Sequence, residues 1–328
     1  MKNGEGSGLG VNFGPDADHD VGAQWVSAPA KLNLYLHVLG CRDDGYHLLD
    51  TLMTFVHVGD GICVEPAKNL SLTVEGPFAD GLEKGEDNLV LQAARGLADV
   101  YGVTKGARIR LVKNLPVASG LGGGSADAAV TLRRLCHLWG LSPAPEDMMA
   151  LALGLGADVP FCLVGRAGFV GGIGESIEPT AIPPNAVSAT SAIWTVLVNP
   201  LTALSTSEVF AARRGPFSQS ARFKYMPRDA AELVALLKER RNDLTQAAVS
   251  LALEVDNVLG ALEESGGCLL ARMSGSGATC FGLFGEEEDA RQAASAISRA
   301  MPGWWVVATH LAADITEVTI DMEIPAGP

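Results

Sequence analysis

Four glycines in five positions, Gly120 and Gly122 to Gly124, run straight into a segment spaced as an amphipathic helix. No other stretch of this 328-residue chain limits its fold so tightly. Such a cluster weakens the interior of any helix or strand. Yet Ala129, Leu132, Cys136 and Trp139 follow at steps of three and four, the spacing of one helix face. Ser125 stands where an N-cap is expected, and Gly140 follows the last periodic residue, where helices stop. A glycine loop opening onto a helix N-terminus aims unblocked N–H groups and the positive end of the helix dipole at one point. That setting suits a phosphate. A flexible linker accounts for the glycines but not for the apolar helix behind them.

Two common phosphate loops are excluded. No glycine is followed by Lys and then Ser or Thr, so there is no Walker A sequence. The dinucleotide fingerprint begins with Gly120 and Gly122, but Ser125 takes the place of its third glycine. No acidic ribose partner follows the strand-like residues 108–113 at the expected distance.

With 24 basic and 38 acidic side chains the net charge is −14, which argues against general nucleic-acid binding. A polyanionic nucleotide then needs a locally positive site or magnesium. The length allows two domains. Apolar stretches are strand-length, well short of the roughly 20 residues of a membrane span. Residues 1–24, rich in Gly and Asp, lack the basic start and apolar centre of a signal peptide and read as a disordered extension. Six cysteines without a C-x-x-C pair read as buried, reduced thiols of a cytoplasmic protein, with neither a zinc site nor a disulfide framework.

Residues 31–38 alternate as a half-buried strand, with Leu32, Leu34, Leu36 and Val38 on one side and Lys31, Asn33, Tyr35 and His37 on the other. Further strands are expected at 62–64, 70–74, 109–112, 195–199, 279–284 and 305–310. Helices are expected at 88–100, after the glycine loop, and at 145–155, 230–240 and 286–301. Clustered strands with helices on one side imply an α+β protein rather than a doubly wound sheet. Pro183-Pro184-Asn185 sets a boundary within 179–192, dividing 25–182 from 190–318. Asp158, among the small and apolar residues of Gly156-Ala157-Asp158-Val159-Pro160-Phe161, can reach into a cleft or cap a turn. Lys31 and Asn33 share a strand face and can reach one small volume.

The run Pro116-Val117-Ala118-Ser119-Gly120-Leu121-Gly122-Gly123-Gly124-Ser125-Ala126 resembles the phosphate loop of the GHMP kinases. That superfamily includes galactokinase, homoserine kinase, mevalonate kinase and phosphomevalonate kinase. Two more of its motifs occur in order, Ala28-Pro29-Ala30-Lys31-Leu32-Asn33-Leu34 and Met273-Ser274-Gly275-Ser276-Gly277-Ala278-Thr279-Cys280-Phe281. A finer resemblance is to its diphosphocytidyl-methylerythritol kinase branch. It rests on Arg42-Asp43-Asp44-Gly45-Tyr46-His47, Glu86-Asp87-Asn88-Leu89, Leu155-Gly156-Ala157-Asp158-Val159-Pro160 and Arg241-Asn242-Asp243-Leu244. The likeness runs from residue 25 to about 311 and is weakest over 179–229.

The resemblance implies a ribosomal-protein-S5-like N-terminal domain holding ATP, a ferredoxin-like C-terminal domain, and an active site between them. It implies phosphorylation of a small cytidine diphosphate-linked alcohol, with no obligate protein partner. Asp158 matches the catalytic aspartate, and Lys31 is its partner, as counter-charge, orienter or stabiliser of the transferring phosphoryl group. Residues 116–126 would hold the ATP phosphates, with the Ser125 hydroxyl on a phosphate oxygen or Mg2+. Asn88, Leu89 and Lys113 would lie near adenosine. Asn33, Gly275, Ser276 and Gly277 would face the substrate, with Tyr46 stacking on cytosine and His47 bonding its edge. Other second-domain contacts are expected within 201–207. A kinase for mevalonate or homoserine is the rival, but it has no use for a cytosine reader. A non-catalytic nucleotide-binding relative would have no need to keep Lys31 and Asp158.

Overall fold

The computed structural model describes residues 24–82, 87–180 and 192–315; the expected N-terminal extension and the proline-bearing boundary at 181–191 lie outside them. A long antiparallel hairpin of β1 (Trp25–Cys41) and β2 (His47–Ala67) forms the framework. The Arg42-Asp43-Asp44-Gly45-Tyr46 run closes its tip. There the Gly45 N–H donates to the Arg42 carbonyl at 3.0 Å, and Gly45 adopts a φ of +88° that glycine reaches without strain. β2 runs unbroken through Asp60-Gly61, so residues 62–64 lie within a 21-residue strand instead of forming their own.

Partners on both edges support that length. β1 covers one edge of β2, while β5 (Gly168–Gly172) and β4 (Gly106–Val112) share the other. β3 (Ser71–Glu75) lies parallel to β4 across the helix α1 (Leu89–Tyr101), and β6 (Ser176–Pro179) pairs with β5. Helices α2 (Gly123–Trp139) and α3 (Pro145–Leu155) pack on α1, α4 (Val159–Val164) packs on α2 and α3, and α2 lies against β1 and β2. Leu132 and Cys136 on the expected face of α2 are fully buried, and so is Leu135. Each such leucine contributes about 1.5–3 kcal/mol of apolar burial.

The alternation expected of β1 fails twice. Residues 28–38 are buried on both faces, because α2 covers one side and the second half of the molecule the other. The register also shifts between Asn33 and Tyr35, a bulge that turns the following residues over. Tyr35 packs in the core with Leu32 and Leu34, and Leu36 joins Lys31 and Asn33 on a cavity wall. The Leu34 carbonyl at the bulge accepts from Arg272 Nη1 at 2.6 Å.

The second half contains β7 (Trp194–Asn199), β8 (Cys268–Met273), β9 (Cys280–Phe284) and β10 (Trp305–Ala312), antiparallel in the order β10-β7-β9-β8. Helices α5 (Thr206–Ala212), α6 (Ala230–Lys238), α7 (Thr245–Leu251) and α8 (Glu254–Glu263) lie between β7 and β8, and α9 (Glu287–Ala300) between β9 and β10. With α8 and α9 packed on the strands, this is the ferredoxin-like plan. Pairing of Leu311 with Val56 and Ala312 with Phe55 joins both halves into one sheet, and the protein is α+β. Among the described residues no helix is long and apolar enough to cross a membrane. Four cysteines are buried, but Cys41 at the hairpin tip is exposed and Cys268 is half-buried, contrary to the expectation of buried thiols throughout.

Candidate active site

The glycine loop and the Gly275-Ser276-Gly277 turn, far apart in sequence, interlock. Thr279 N–H donates to the Ser119 carbonyl at 3.1 Å, and Ser274 Oγ donates to the Gly120 carbonyl at 3.2 Å. Gly120 has φ +78°, and a Cβ there would stand 2.5 Å from the Ser274 carbonyl oxygen, so only glycine allows the approach.

Helix α2 begins at Gly123, with Gly122 as its N-cap at φ +64°, instead of at a Ser125 cap. The stem of Lys31 packs where a side chain at Gly122 would go, 2.8 Å from its Cγ. Ser125 therefore falls in the first turn, half-buried on the wall of a cavity of about 600 Å³. No side chain caps the N-terminus of α2, which leaves its first N–H groups facing that cavity.

Lys31 Nζ lies 3.1 Å from Asp158 Oδ2 and donates to Asn33 Oδ1 at 2.7 Å. Asp158 occupies the N-cap position of α4, yet its side chain caps nothing and turns to Lys31 on the cavity wall. Asn33 is held on two further sides. Its N–H donates to Ser274 Oγ at 3.2 Å, and its Nδ2 donates to Thr51 Oγ1 at 3.0 Å.

Lys113 also borders the cavity, but its ammonium is committed below the loop to Asp60 and to Asp127 Oδ2, the latter at 2.8 Å. Asp60 Oδ1 also accepts from the N–H groups of Asn114 and Leu115, at 2.7 and 2.9 Å. Burial alone draws the Lys113 pKa down, but Asp127 and Asp60 together outweigh it and raise it. Burial pushes the Asp127 carboxyl above the ordinary carboxylate range against the pull of Lys113, and the Asp60 charge adds to the push. Asn88 caps α1 by accepting from the Val90 N–H at 3.0 Å, and with Leu89 it lines the same cavity.

Tyr46 and His47 sit at the hairpin tip, outside the cavity wall itself, with Tyr46 59% exposed and free to meet a ligand. The His47 ring lies 4.9 Å from that of Phe210, which does line the cavity. Burial, followed by the positive charge of Arg213, lowers the His47 pKa and favours its neutral ring.

Several residues at the site had no assigned role in the sequence. Phe210 falls in the stretch where the family resemblance is weakest. Thr206, within the expected 201–207 segment, shares a 2.9 Å hydrogen bond with Ser276 Oγ. Asn242 belongs to a recognised motif without a stated task. Its Nδ2 donates to the carbonyls of Met273 and Gly275, both at 2.8 Å, and so holds the second glycine turn in place.

Known proteins resemble this chain in sequence and fold. The GHMP kinases N terminal domain matches residues 88–166, and the GHMP kinases C terminal domain matches 223–303. A 4-diphosphocytidyl-2-C-methyl-D-erythritol kinase of Paramagnetospirillum magneticum is 52% identical over 286 residues, covering 87% of this chain and 98% of the relative. One of the same name from Cereibacter sphaeroides is 51% identical over 289 residues, covering 87% and 98%. A crystal structure of 4-(cytidine 5'-diphospho)-2C-methyl-D-erythritol kinase superposes with a TM-score of 0.70 at 34% identity, over 88% of this chain and 99% of that one. Homoserine kinase from Cytophaga hutchinsonii, at 17% identity and a TM-score of 0.66 over 91% and 98%, shares the fold. Its motifs, fold and relatives agree: the chain belongs to the 4-diphosphocytidyl-2-C-methyl-D-erythritol kinase family of the GHMP kinases.

Proposed function

We propose that the chain transfers the γ-phosphoryl group of ATP to the 2-hydroxyl of 4-diphosphocytidyl-2-C-methyl-D-erythritol, in the non-mevalonate route to isoprenoid precursors. The observation that carries this reading is the Lys31–Asp158 contact of 3.1 Å inside a cavity that runs from the N-terminus of α2 to Phe210. The uncapped first turn of α2 and the N–H groups of the glycine loop suit the phosphates of ATP. Asn88 and Leu89, on the same wall, take the adenosine end.

Phosphoryl transfer asks the protein chiefly for positioning and charge stabilisation. Asp158 orients the acceptor hydroxyl and receives its proton, and Lys31 offsets the charge spread over the transferring group. Tyr46 supplies a face for the cytosine and neutral His47 a ring nitrogen for its edge, with Phe210 beside them.

Among the described residues no group of three His, Cys, Asp or Glu side chains could hold a metal by itself. That donor set suits magnesium carried by the nucleotide, whose phosphates supply most of its ligands, with Ser125 Oγ as the protein's contribution. When bound, magnesium offsets the charge of the phosphates. The use of ATP and of a nucleotide-linked acceptor supports the reading of a cytoplasmic enzyme.

The test is ADP release by the purified protein with ATP and magnesium, offered the cytidine compound, mevalonate and homoserine separately. Turnover with the cytidine compound alone is expected. Turnover with either rival overturns the substrate, and no turnover with any of them overturns the kinase activity.

A further inference from the structure

Asn33 can lie against Lys31 in two ways, because its side-chain oxygen and nitrogen have nearly the same shape. Turned one way, the oxygen accepts from the ammonium. Turned over, an NH2 group faces an NH3+ group, two donors with nothing between them. The neighbouring hydroxyl decides which way the amide lies. Thr51, in β2 and 1% exposed, carries one hydroxyl proton, and it is spent on the main-chain carbonyl of Tyr35. A carbonyl cannot donate, so Thr51 Oγ1 has only acceptor capacity left. It therefore takes Asn33 Nδ2 at 3.0 Å, and Asn33 Oδ1 must turn to Lys31 Nζ at 2.7 Å.

The same logic acts on the main chain. Ser274 Oγ gives its proton to the Gly120 carbonyl at 3.2 Å and accepts from the Asn33 N–H at 3.2 Å. Two hydroxyls, each with its proton committed to a carbonyl, thus fix the side-chain amide and the main-chain N–H of Asn33. The β1 bulge between Asn33 and Tyr35 makes this possible, since it sets Asn33 and Leu36 toward the cavity while Tyr35 packs in the core beside them.

We infer that Thr51 is a positioning residue for phosphoryl transfer: its acceptor-only hydroxyl sets the Asn33 amide, and through it holds the Lys31 ammonium on Asp158. Thr51 acts two hydrogen bonds away from the ammonium. The inference rests on the proposed role of Lys31 and Asp158.

The experiment compares wild type, Thr51→Val, which keeps the shape and removes the hydroxyl, and Thr51→Ser, which keeps the hydroxyl. Thr51→Val is expected to lower kcat about 10- to 100-fold while KM for ATP and for the cytidine compound stays within about twofold. Thr51→Ser is expected to restore most of that kcat. In an Asn33→Ala background, Thr51→Val should have almost no further effect, as for two groups acting in series. Full kcat in Thr51→Val, equal losses in Val and Ser, or additive losses with Asn33→Ala would each overturn the role. Absence of turnover in wild type would instead overturn the proposed function. Nitrogen-15 spectra of the Asn33 side-chain amide read the inference without turnover. Its protons should be protected from exchange in wild type and Thr51→Ser and lose protection in Thr51→Val. Unchanged protection in Thr51→Val would overturn the inference.

Discussion

Two lysines border the same cavity, and each meets carboxylates, but their surroundings differ. Lys113, Asp60 and Asp127 have side chains exposed by only 2%, 0% and 3%, whereas Asp158 beside Lys31 keeps 39% of its side-chain surface open. In the first group Lys113 Nζ, both Asp60 oxygens and Asp127 Oδ2 have protein partners, Asp127 Oδ1 is buried without one, and the charge is enclosed under the loop that it supports. The second group is incomplete by construction: Asp158 receives no capping bond and faces space that a substrate can fill. Enclosure makes an ion group structural. An unfinished one, held in place by Asn33, is available for chemistry.

The comparison breaks most readily at Lys113. Lys113→Met would leave two facing carboxylates buried without a counter-charge, and a loss of about 3–5 kcal/mol in urea unfolding is expected. A stable Lys113→Met protein lacking only activity would place Lys113 with the reacting groups instead. Tyr46→Ala should sharpen the contrast between the two ends of the site. Loss of a base–aromatic stack worth about 1–3 kcal/mol raises KM for the cytidine compound and leaves KM for ATP unchanged. Equal effects on both would remove Tyr46 from the cytosine.

Asp243 provides the smallest test, as a third ion group placed between the two extremes. Its carboxylate accepts from the Val38 N–H at 2.8 Å and from Arg241 Nε at 2.7 Å, and it clamps Arg241-Asn242-Asp243-Leu244 to β1. Burial works to raise its pKa, but hydrogen bonds from Ser218, the Val38 N–H and Arg241, with the Arg241 charge, hold it below the ordinary 3.8. A depressed carboxylate adds stability above its unfolded pKa, and that stability disappears as pH falls through the folded value. Asp243→Asn should therefore cost about 1 kcal/mol at pH 7, a difference that starts to shrink near the ordinary 3.8 and vanishes once pH is below the lowered folded value. A difference that persists undiminished at pH 2 would show that shape, not charge, matters there.

Much of this was legible in the chain because it depends on short-range pattern. The apolar steps of α2 and its stop at Gly140 follow from helical periodicity, and the helix ends there with Gly140 at φ +68°. Lys31 and Asp158 were paired through motifs, and the structure sets them 3.1 Å apart. The misplaced features depend on contacts distant in sequence. Ser125 looks like a cap, but the helix starts earlier because Gly122 packs on the Lys31 stem. The letters of residues 31–38 alternate without a break, while the bulge at Leu34 is stabilised by Arg272, 238 residues away. Phe210 reaches the site from a helix whose sequence carries no motif.

The most direct test of the central claim measures kcat, ATP affinity and the thermal midpoint of Asp158→Asn in one preparation. An open, uncapped carboxylate that acts on the acceptor hydroxyl predicts a kcat about 10²- to 10⁴-fold lower, with ATP binding and the thermal midpoint unchanged. Wild-type turnover in Asp158→Asn would contradict the account, and so would a collapse in stability of the kind expected for Lys113→Met.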